Sequence, residues 1–463
     1  MNATGIGIPR REAMNKRSLL FFAAAVMAMS ALTCGCEDKK KPEPQDTDIT
    51  EDTGDIQPSE TVFREYSDTD FKAIDVMMTY PDAEPPVEIS CIDISELDFG
   101  EKVPVCNKIE FVEEYYNAQR EAYEGAPVFD WKNFVDKPVK GIPTKCFVWN
   151  GKCYIYVVYD NFQIYNWTLY SYDMSGGSKE EVYSWSADTP EEYCDRNICF
   201  SDGEIFFTCY RNDENKTDSC VKRLDIETGD EKVIYEEADI DVSIWVFADE
   251  SGDILLHEYH NISQQETVIY KYDSVSGEFV KDREIKAPEG EIMASDCFSG
   301  IYSYLIKPDN KRKYQLVNDY YRLNTAITSG RIICADEKRA VLYNNVKLHI
   351  YDFEKMEHYI TDVSDMGNGM AMCNGMLFIG GKGSRVATPV YCIFPELGMT
   401  YKIMESGYYT DLTASGDTVT FNEIRQDTAE VACEYTDDSG EVFQGGISHQ
   451  YDRIVKFYTV KAK

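Results

Sequence analysis

The sequence predicts an all-β protein organised as a single β-propeller of seven four-stranded blades, with six or eight blades as the alternatives. Two repeated features predict it. The first is a turn ending in glycine that is followed at once by an apolar, aromatic-rich strand. It occurs at Asn150-Gly151, Asp202-Gly203, Ser251-Gly252, Ser299-Gly300, Ser329-Gly330, Asn374-Gly375 and Ser415-Gly416. These glycines are 52, 49, 48, 30, 45 and 41 residues apart. A period in the forties is what four short strands and their turns occupy. The interval of 30 is the outlier, and it marks either a compact blade or an extra hairpin inside one.

The second feature keeps the same period. Tyr170-Ser171-Tyr172-Asp173 runs into Ser175-Gly176-Gly177, Leu224-Asp225 into Thr228-Gly229-Asp230, and Tyr270-Lys271-Tyr272-Asp273 into Ser276-Gly277-Glu278. Ile350-Tyr351-Asp352 is a fourth copy without the glycine. An aspartate that bonds its own backbone two residues on, followed by a glycine free to take positive φ, makes a tight reversal between strands. Each repeat therefore reads as strand, glycine turn, strand, polar hairpin, strand, Asp–Gly turn, strand. One such unit leaves the faces of its sheet uncovered, and stacking the units in a ring covers them.

The pattern resembles bacterial propellers of the TolB or WD40-like type, whose blades carry a D-G turn and a YxxDxxxG turn. The resemblance covers residues 141–463. The WD dipeptide and its GH partner are absent, so it does not extend to WD40 repeats proper, and no run of sialidase Asp boxes is present. Propellers host many unrelated functions, so the resemblance implies a fold and leaves the activity open.

The elements before the repeats follow in order. Residues 1–35 read as a lipoprotein signal peptide. Arg10, Arg11, Lys16 and Arg17 precede the apolar run Leu19 to Met29, which is short for a membrane span. Small residues and cysteine come next, then a switch to charge. Cys36, with Gly35 before it, is the expected lipid-anchored residue, and Cys34 is the alternative. Residues 36–61 are nearly free of apolar side chains and are expected to form an acidic flexible tether. Residues 62–140 hold strand-like runs at Val62 to Tyr66 and Ala73 to Met78, and a segment from Glu110 to Glu121 that fits a helix or a strand.

The last repeat, after Gly416, shows one strand to about Ile424, a polar insertion and a final strand Arg453 to Val460, one strand short of a blade. The N-terminal segment is expected to supply the missing strand and close the ring, which removes sheet edges that otherwise invite aggregation.

The net charge is −36, and without residues 1–33 it becomes −39, from 42 basic and 81 acidic side chains. That argues against nucleic acid and against anionic lipid as partners. Thirty-three tyrosines and 22 phenylalanines suit strands and packing between blades.

Of fifteen cysteines, thirteen remain if Cys36 carries the lipid and Cys34 leaves with the signal. Cys209 and Cys220 flank a polar run and are candidates for a disulfide across one hairpin; Cys194 and Cys199 are another candidate pair. Many of the rest are expected to be small buried apolar residues.

Few residues suggest chemistry. His257-Glu258-Tyr259-His260 is one residue short of a metalloprotease motif and lies in strand-like context, where the two histidines point to opposite faces. No GxSxG elbow, P-loop, GxGxxG or CxxC pair occurs, and Gly380-Gly381-Lys382-Gly383-Ser384 reads as a hairpin loop. No metal or cofactor is expected. Asn166-Trp167-Thr168, Asn215-Lys216-Thr217 and Asn261-Ile262-Ser263 match the glycosylation pattern by chance.

The reading that results is a monomeric, membrane-anchored, extracytoplasmic lipoprotein. Its propeller is a non-catalytic module that binds a protein or a glycan. The alternatives are a carbohydrate-active hydrolase with carboxylates in the central channel, and an envelope assembly factor resembling TolB.

Overall fold

The computed structural model describes residues 64–103, 128–129 and 138–463, short loop segments in the last range excepted. The expected signal peptide, the tether, both candidate lipidation cysteines and the segment Glu110 to Glu121 lie outside the described residues. The rest forms seven antiparallel sheets in chain order, spanning 142–186, 192–237, 242–286, 291–324, 331–362, 369–407 and 409–462, here called blades 1 to 7. The protein is a seven-bladed β-propeller.

Period-2 strands explain why a ring forms. Along Lys152–Val158 every residue after the first is buried. Cys153, Ile155 and Val157 pack into a core shared with blade 7, whereas Tyr154, Tyr156 and Val158 pack into a core shared with blade 2. Successive side chains of one strand thus serve opposite interfaces. The same division holds round the molecule. Seven apolar clusters fill the junctions of blades 1 and 2, 2 and 3, 3 and 4, 4 and 5, 5 and 6, 6 and 7, and 7 and 1. The tyrosines expected between blades are there: Tyr156, Tyr159, Tyr321 and Tyr351 are fully buried.

Six of the seven glycine turns join the first two strands of a blade. Ser329-Gly330 does not. It lies in the connection between blades 4 and 5, and blade 5 makes its first hairpin at Asp336 to Arg339 without glycine, where Asp336 Oδ1 accepts from the Lys338 and Arg339 amides at 2.8 Å. The interval of 30 therefore reflects this displaced turn, together with a blade 4 that is shorter than blades 1 to 3. The Asp–Gly hairpins form as expected: the amides of Gly177, Gly229 and Gly277 donate to the carbonyls of Asp173, Asp225 and Asp273. In the fourth copy Met356 takes the glycine's place with φ +54°.

The chain before the repeats runs round the perimeter. Arg64–Ser67 adds a parallel fifth strand to blade 4, Lys72–Asp75 does the same for blade 5, and Thr79 bridges to Met399 of blade 6. Val87–Asp93 then pairs antiparallel with Val442–Ala462, from Val87 opposite Ala462 to Asp93 opposite Lys456. It stands where the other blades have their fourth strand, so the first and last blades are tied through the N-terminal segment. Aromatic packing holds this strap: Tyr66 and Phe71 meet Tyr321, Tyr351 and Phe353, and the Tyr351 hydroxyl donates to Asp68 Oδ1 at 2.8 Å.

The polar insertion of the last repeat is a continuation of its strands. Thr418–Thr436 and Val442–Ala462 stay in register past Arg425 opposite Arg453 to Thr436 opposite Val442, and Val128–Phe129 pairs with the far end.

Candidate functional site: the axial channel

The first strand of each blade lies nearest the axis, and five of these strands line a cavity of about 390 Å³. Its walls are Ala248 from blade 3, Ala294 and Asp296 from blade 4, and Arg331, Ile332 and Ile333 from blade 5. Met370, Ala371 and Met372 from blade 6 and Leu412, Thr413 and Ala414 from blade 7 complete them. Asp296 and Arg331 are the charged residues of this lining. The volume lies within the range that small-ligand sites occupy, and the lining mixes apolar side chains with the polar Asp296, Arg331 and Thr413.

Asp296 sits in Glu291–Phe298 opposite Ser303, beyond a register shift at Ile292 and Ala294. Its Oδ1 accepts from the Cys297 amide at 2.9 Å. Burial nevertheless lifts its carboxyl to about 6, and the Cys297 amide and the Arg331 charge offset only part of that rise. Arg331 begins the strand Arg331–Ala335. It opens onto the water of the channel, yet enough protein surrounds its guanidinium that burial lowers its pKa. The guanidinium lies over the Tyr343 ring, 5.6 Å from the centroid. Gly330 makes this placement feasible, because a Cβ there would stand 2.3 Å from the Tyr343 carbonyl oxygen. The turn that breaks the repeat is thus the one that delivers the channel arginine.

Arg331 also borders a second cavity of about 210 Å³, lined by Asn368, Gly369, Tyr409, Thr410, Asp411 and the loop glycines Gly380, Gly381 and Gly383. Gly380 ends the strand Met376–Gly380, and Gly381 and Gly383 lie between it and the strand Thr388–Phe394. Its packing is close: a Cβ on Gly381, at φ +71°, would approach the Tyr409 carbonyl oxygen to 2.6 Å. Asp411 holds a left-handed backbone at φ +54°, at the register shift between Thr410 and Thr413, and its Oδ2 accepts from Asn422 Nδ2 at 3.1 Å. Strained non-glycine backbone of this kind persists where the surroundings enforce it, frequently beside binding sites.

The site therefore combines one guanidinium, with its fork of N–H donors, one carboxyl raised to about 6, and a second carboxylate in the adjoining cavity. It can recognise a group that offers both an acceptor and a donor. Among the described residues no group of three or more histidine, cysteine, aspartate or glutamate side chains is placed to hold a metal ion.

The residues singled out in the sequence lie elsewhere. Cys209 and Cys220 stand directly opposite each other on Glu204–Asp213 and Lys216–Asp225 of blade 2, both as thiols. Cys194 and Cys199 share one strand, Glu192–Ser201, and do not face each other: Cys194 is opposite Cys209, and the Cys199 thiol donates to the Val246 carbonyl at 3.2 Å. His257 is buried against Phe247 and Tyr302, and Glu258 accepts from the Tyr235 hydroxyl at 2.6 Å, so the short histidine motif is divided between the two faces of its strand. Asn166 and Trp167 of the first glycosylation match are buried. The channel residues carry no motif, and only the misplaced Ser329-Gly330 turn and the glycine-rich loop pointed toward them.

The fold and channel define the class as a seven-bladed β-propeller with an axial cavity. Solved structures of the same architecture resemble it at low identity. The β-propeller domain of the Trilobed protease from Pyrococcus furiosus, described as having an open velcro topology, matches at 14% identity and a TM-score of 0.41, over 66% of this chain and 95% of that one. The acylaminoacyl peptidase of Pyrococcus horikoshii matches at 13% identity and a TM-score of 0.39, over 68% of this chain and 53% of its own length, so this chain spans about half of that peptidase. The oligogalacturonate lyase of Vibrio parahaemolyticus matches at 12% identity and a TM-score of 0.36, over 73% and 96% of the two chains. No protein-family model matches the chain, and no curated protein is significantly similar to it. The seven-bladed assignment rests on this chain's own strand pairing.

Proposed function

We propose that this protein is a membrane-anchored extracytoplasmic lipoprotein whose propeller is a non-catalytic binding module. It takes a terminal group of a protein or glycan ligand into the axial channel. The observation that carries the reading is the presence of Asp296 and Arg331 together in the wall of a cavity of about 390 Å³. A guanidinium in a cleft binds a carboxylate or other acceptor bidentately, and a carboxylate beside it takes a donor from the same group. The strongly acidic charge suits a soluble domain outside the cell and leaves the lipid on Cys36, or Cys34, as the membrane contact.

The test uses the mature protein, detergent-purified, as bait against protein and polysaccharide fractions of the parent cell envelope. Capture that Asp296→Asn combined with Arg331→Ala abolishes supports the channel as the binding site, whereas capture unchanged by both refutes it. Incorporation of a labelled fatty acid that disappears in Cys36→Ala supports the anchor, and its retention in a variant lacking both Cys34 and Cys36 overturns it.

A second reading draws on one observation. A carboxyl near 6 is suited to general acid work, and Asp411 is a second carboxylate next to Arg331. In a carbohydrate-active hydrolase Asp296 would protonate the leaving group. Release of reducing sugar from a retained polysaccharide, lost in Asp296→Asn, decides for that reading and against the non-catalytic one.

A further inference from the structure

Blade 2 carries three cysteines in one row across its first three strands. Cys194 on Glu192–Ser201 is opposite Cys209 on Glu204–Asp213, which is opposite Cys220 on Lys216–Asp225. Residues directly opposite in antiparallel strands point to the same face with Cα atoms about 4.5–5.5 Å apart, within the span of a disulfide. All three side chains belong to the apolar core between blades 1 and 2. Cys194 and Cys209 are buried in it, and Cys220 lies against it partly exposed. Cys209 thus has a cysteine on either side and can bond only one at a time.

We propose that these residues form a thiol–disulfide exchange site, in which Cys220 captures an external disulfide, Cys209 resolves it, and Cys194 is the alternative partner of Cys209. The Cys220 thiolate attacks one sulfur of the external disulfide. Its S–S bond breaks, one thiolate leaves and takes a proton from water, and a mixed disulfide forms on Cys220. Cys209 then gives up its proton and attacks the Cys220 sulfur, which expels the second external thiolate and forms the Cys209–Cys220 bond. Two cysteine thiols are oxidised and one external disulfide is reduced to two thiols. Attack by the Cys194 thiolate on the Cys209 sulfur then moves the bond to Cys194–Cys209 and returns Cys220 as a thiol, with no net redox change.

The surroundings assign the order. The Cys220 thiol is lowered from its usual range by the Cys209 S–H that it accepts, and Lys222 adds to this against the cost of burial. The Cys209 thiol is raised by that same bond and by burial. Lys222 is held between Glu192 and Glu231, at 3.7 and 3.0 Å. A partly exposed, low-pKa cysteine beside a lysine is the nucleophilic member of such a set, and the buried ones are its resolving partners.

The experiment treats the reduced, natively folded protein with oxidised glutathione, quenches by alkylation and maps linkages by peptide mass spectrometry. The expected results are a Cys209–Cys220 linkage in the unaltered protein, persistent glutathione on Cys220 in Cys209→Ser, and oxidation at this site at least about tenfold slower in Cys220→Ser. Because Cys209 is buried, its variant is judged only alongside the unaltered protein and Cys220→Ser, which alters a partly exposed position. The proposal is overturned if the unaltered protein forms no Cys209–Cys220 linkage without denaturant. It is equally overturned if Cys220 reacts no faster than the buried cysteines. The result is independent of whether the channel binds a ligand.

Discussion

Replacing Asp296 with asparagine should stabilise the propeller at neutral pH, and the gain should vanish in acid. The side chains are nearly the same shape, and an asparagine oxygen can still accept from the Cys297 amide. The charge is what changes. Burial lifts the Asp296 carboxyl from 3.8 to about 6. The folded state therefore binds a proton more readily than the unfolded chain between these values, so stability falls as pH rises through them. A shift of that size corresponds to about 3 kcal/mol of penalty above the window. Water in the channel screens part of it, which leaves an expected gain for Asp296→Asn of about 1–3 kcal/mol at neutral pH. The assay is urea unfolding followed by tryptophan fluorescence, comparing midpoints at unchanged slope on either side of the window. A variant less stable at neutral pH, or one equally more stable in acid, would refute the argument that this carboxylate is held in the channel against its own solvation. A binding residue that costs stability is also what a site selected for function would show.

Three further outcomes follow from the same geometry. Ile94→Ala, in the core that joins blade 7 to blade 1, should cost about 2–5 kcal/mol in the same urea assay, and a loss below about 0.5 kcal/mol would mean that the N-terminal segment does not tie the ring. His257 is lowered to about 3 by burial, with the Arg283 charge adding to it, so its contribution is complete above its unfolded value of 6.5 and is lost as pH falls toward 3. Stability should drop through it by about 1.4 kcal/mol per pH unit, and unfolding curves of His257→Gln across that window should lack this slope. Gly330→Ala sets a Cβ against the Tyr343 carbonyl and should cost upwards of about 1 kcal/mol, with loss of ligand capture by the displaced Arg331; unchanged unfolding and capture would show that the turn does not position the arginine.

The Asp225 and Asp273 hairpins were legible because an aspartate side chain bonding its own backbone and a glycine at positive φ act within five residues. The alternation in Lys152–Val158 was legible as a strand buried on both sides, for the same local reason. Ser329-Gly330 misled because it has the composition of a hairpin turn yet serves a connection between blades, where glycine is required by contact with Tyr343. The last repeat misled because polar residues also build a long hairpin when two strands satisfy each other's backbone. The charged residues of the channel were not legible as a site. Asp296, Arg331 and Asp411 come from three blades, and nothing near each of them distinguishes it from the other acidic and basic side chains of the chain.

By itself, then, the sequence determined what is local: the turns, the alternation of faces, the four-stranded unit and its repetition, and hence a ring that covers both faces of every sheet. The tertiary structure alone decided that the chain from Arg64 to Thr79 straps blades 4 to 6, and that Val87–Asp93 is the N-terminal strand that completes the last blade against Val442–Ala462. It also decided that Asp296 and Arg331 meet in one cavity and that Cys194, Cys209 and Cys220 stand in one row. The reason is physical. A ring brings one strand of every blade to a common axis and sets distant strands side by side, so the environment of a charge or a thiol is made by residues that sequence separation keeps apart.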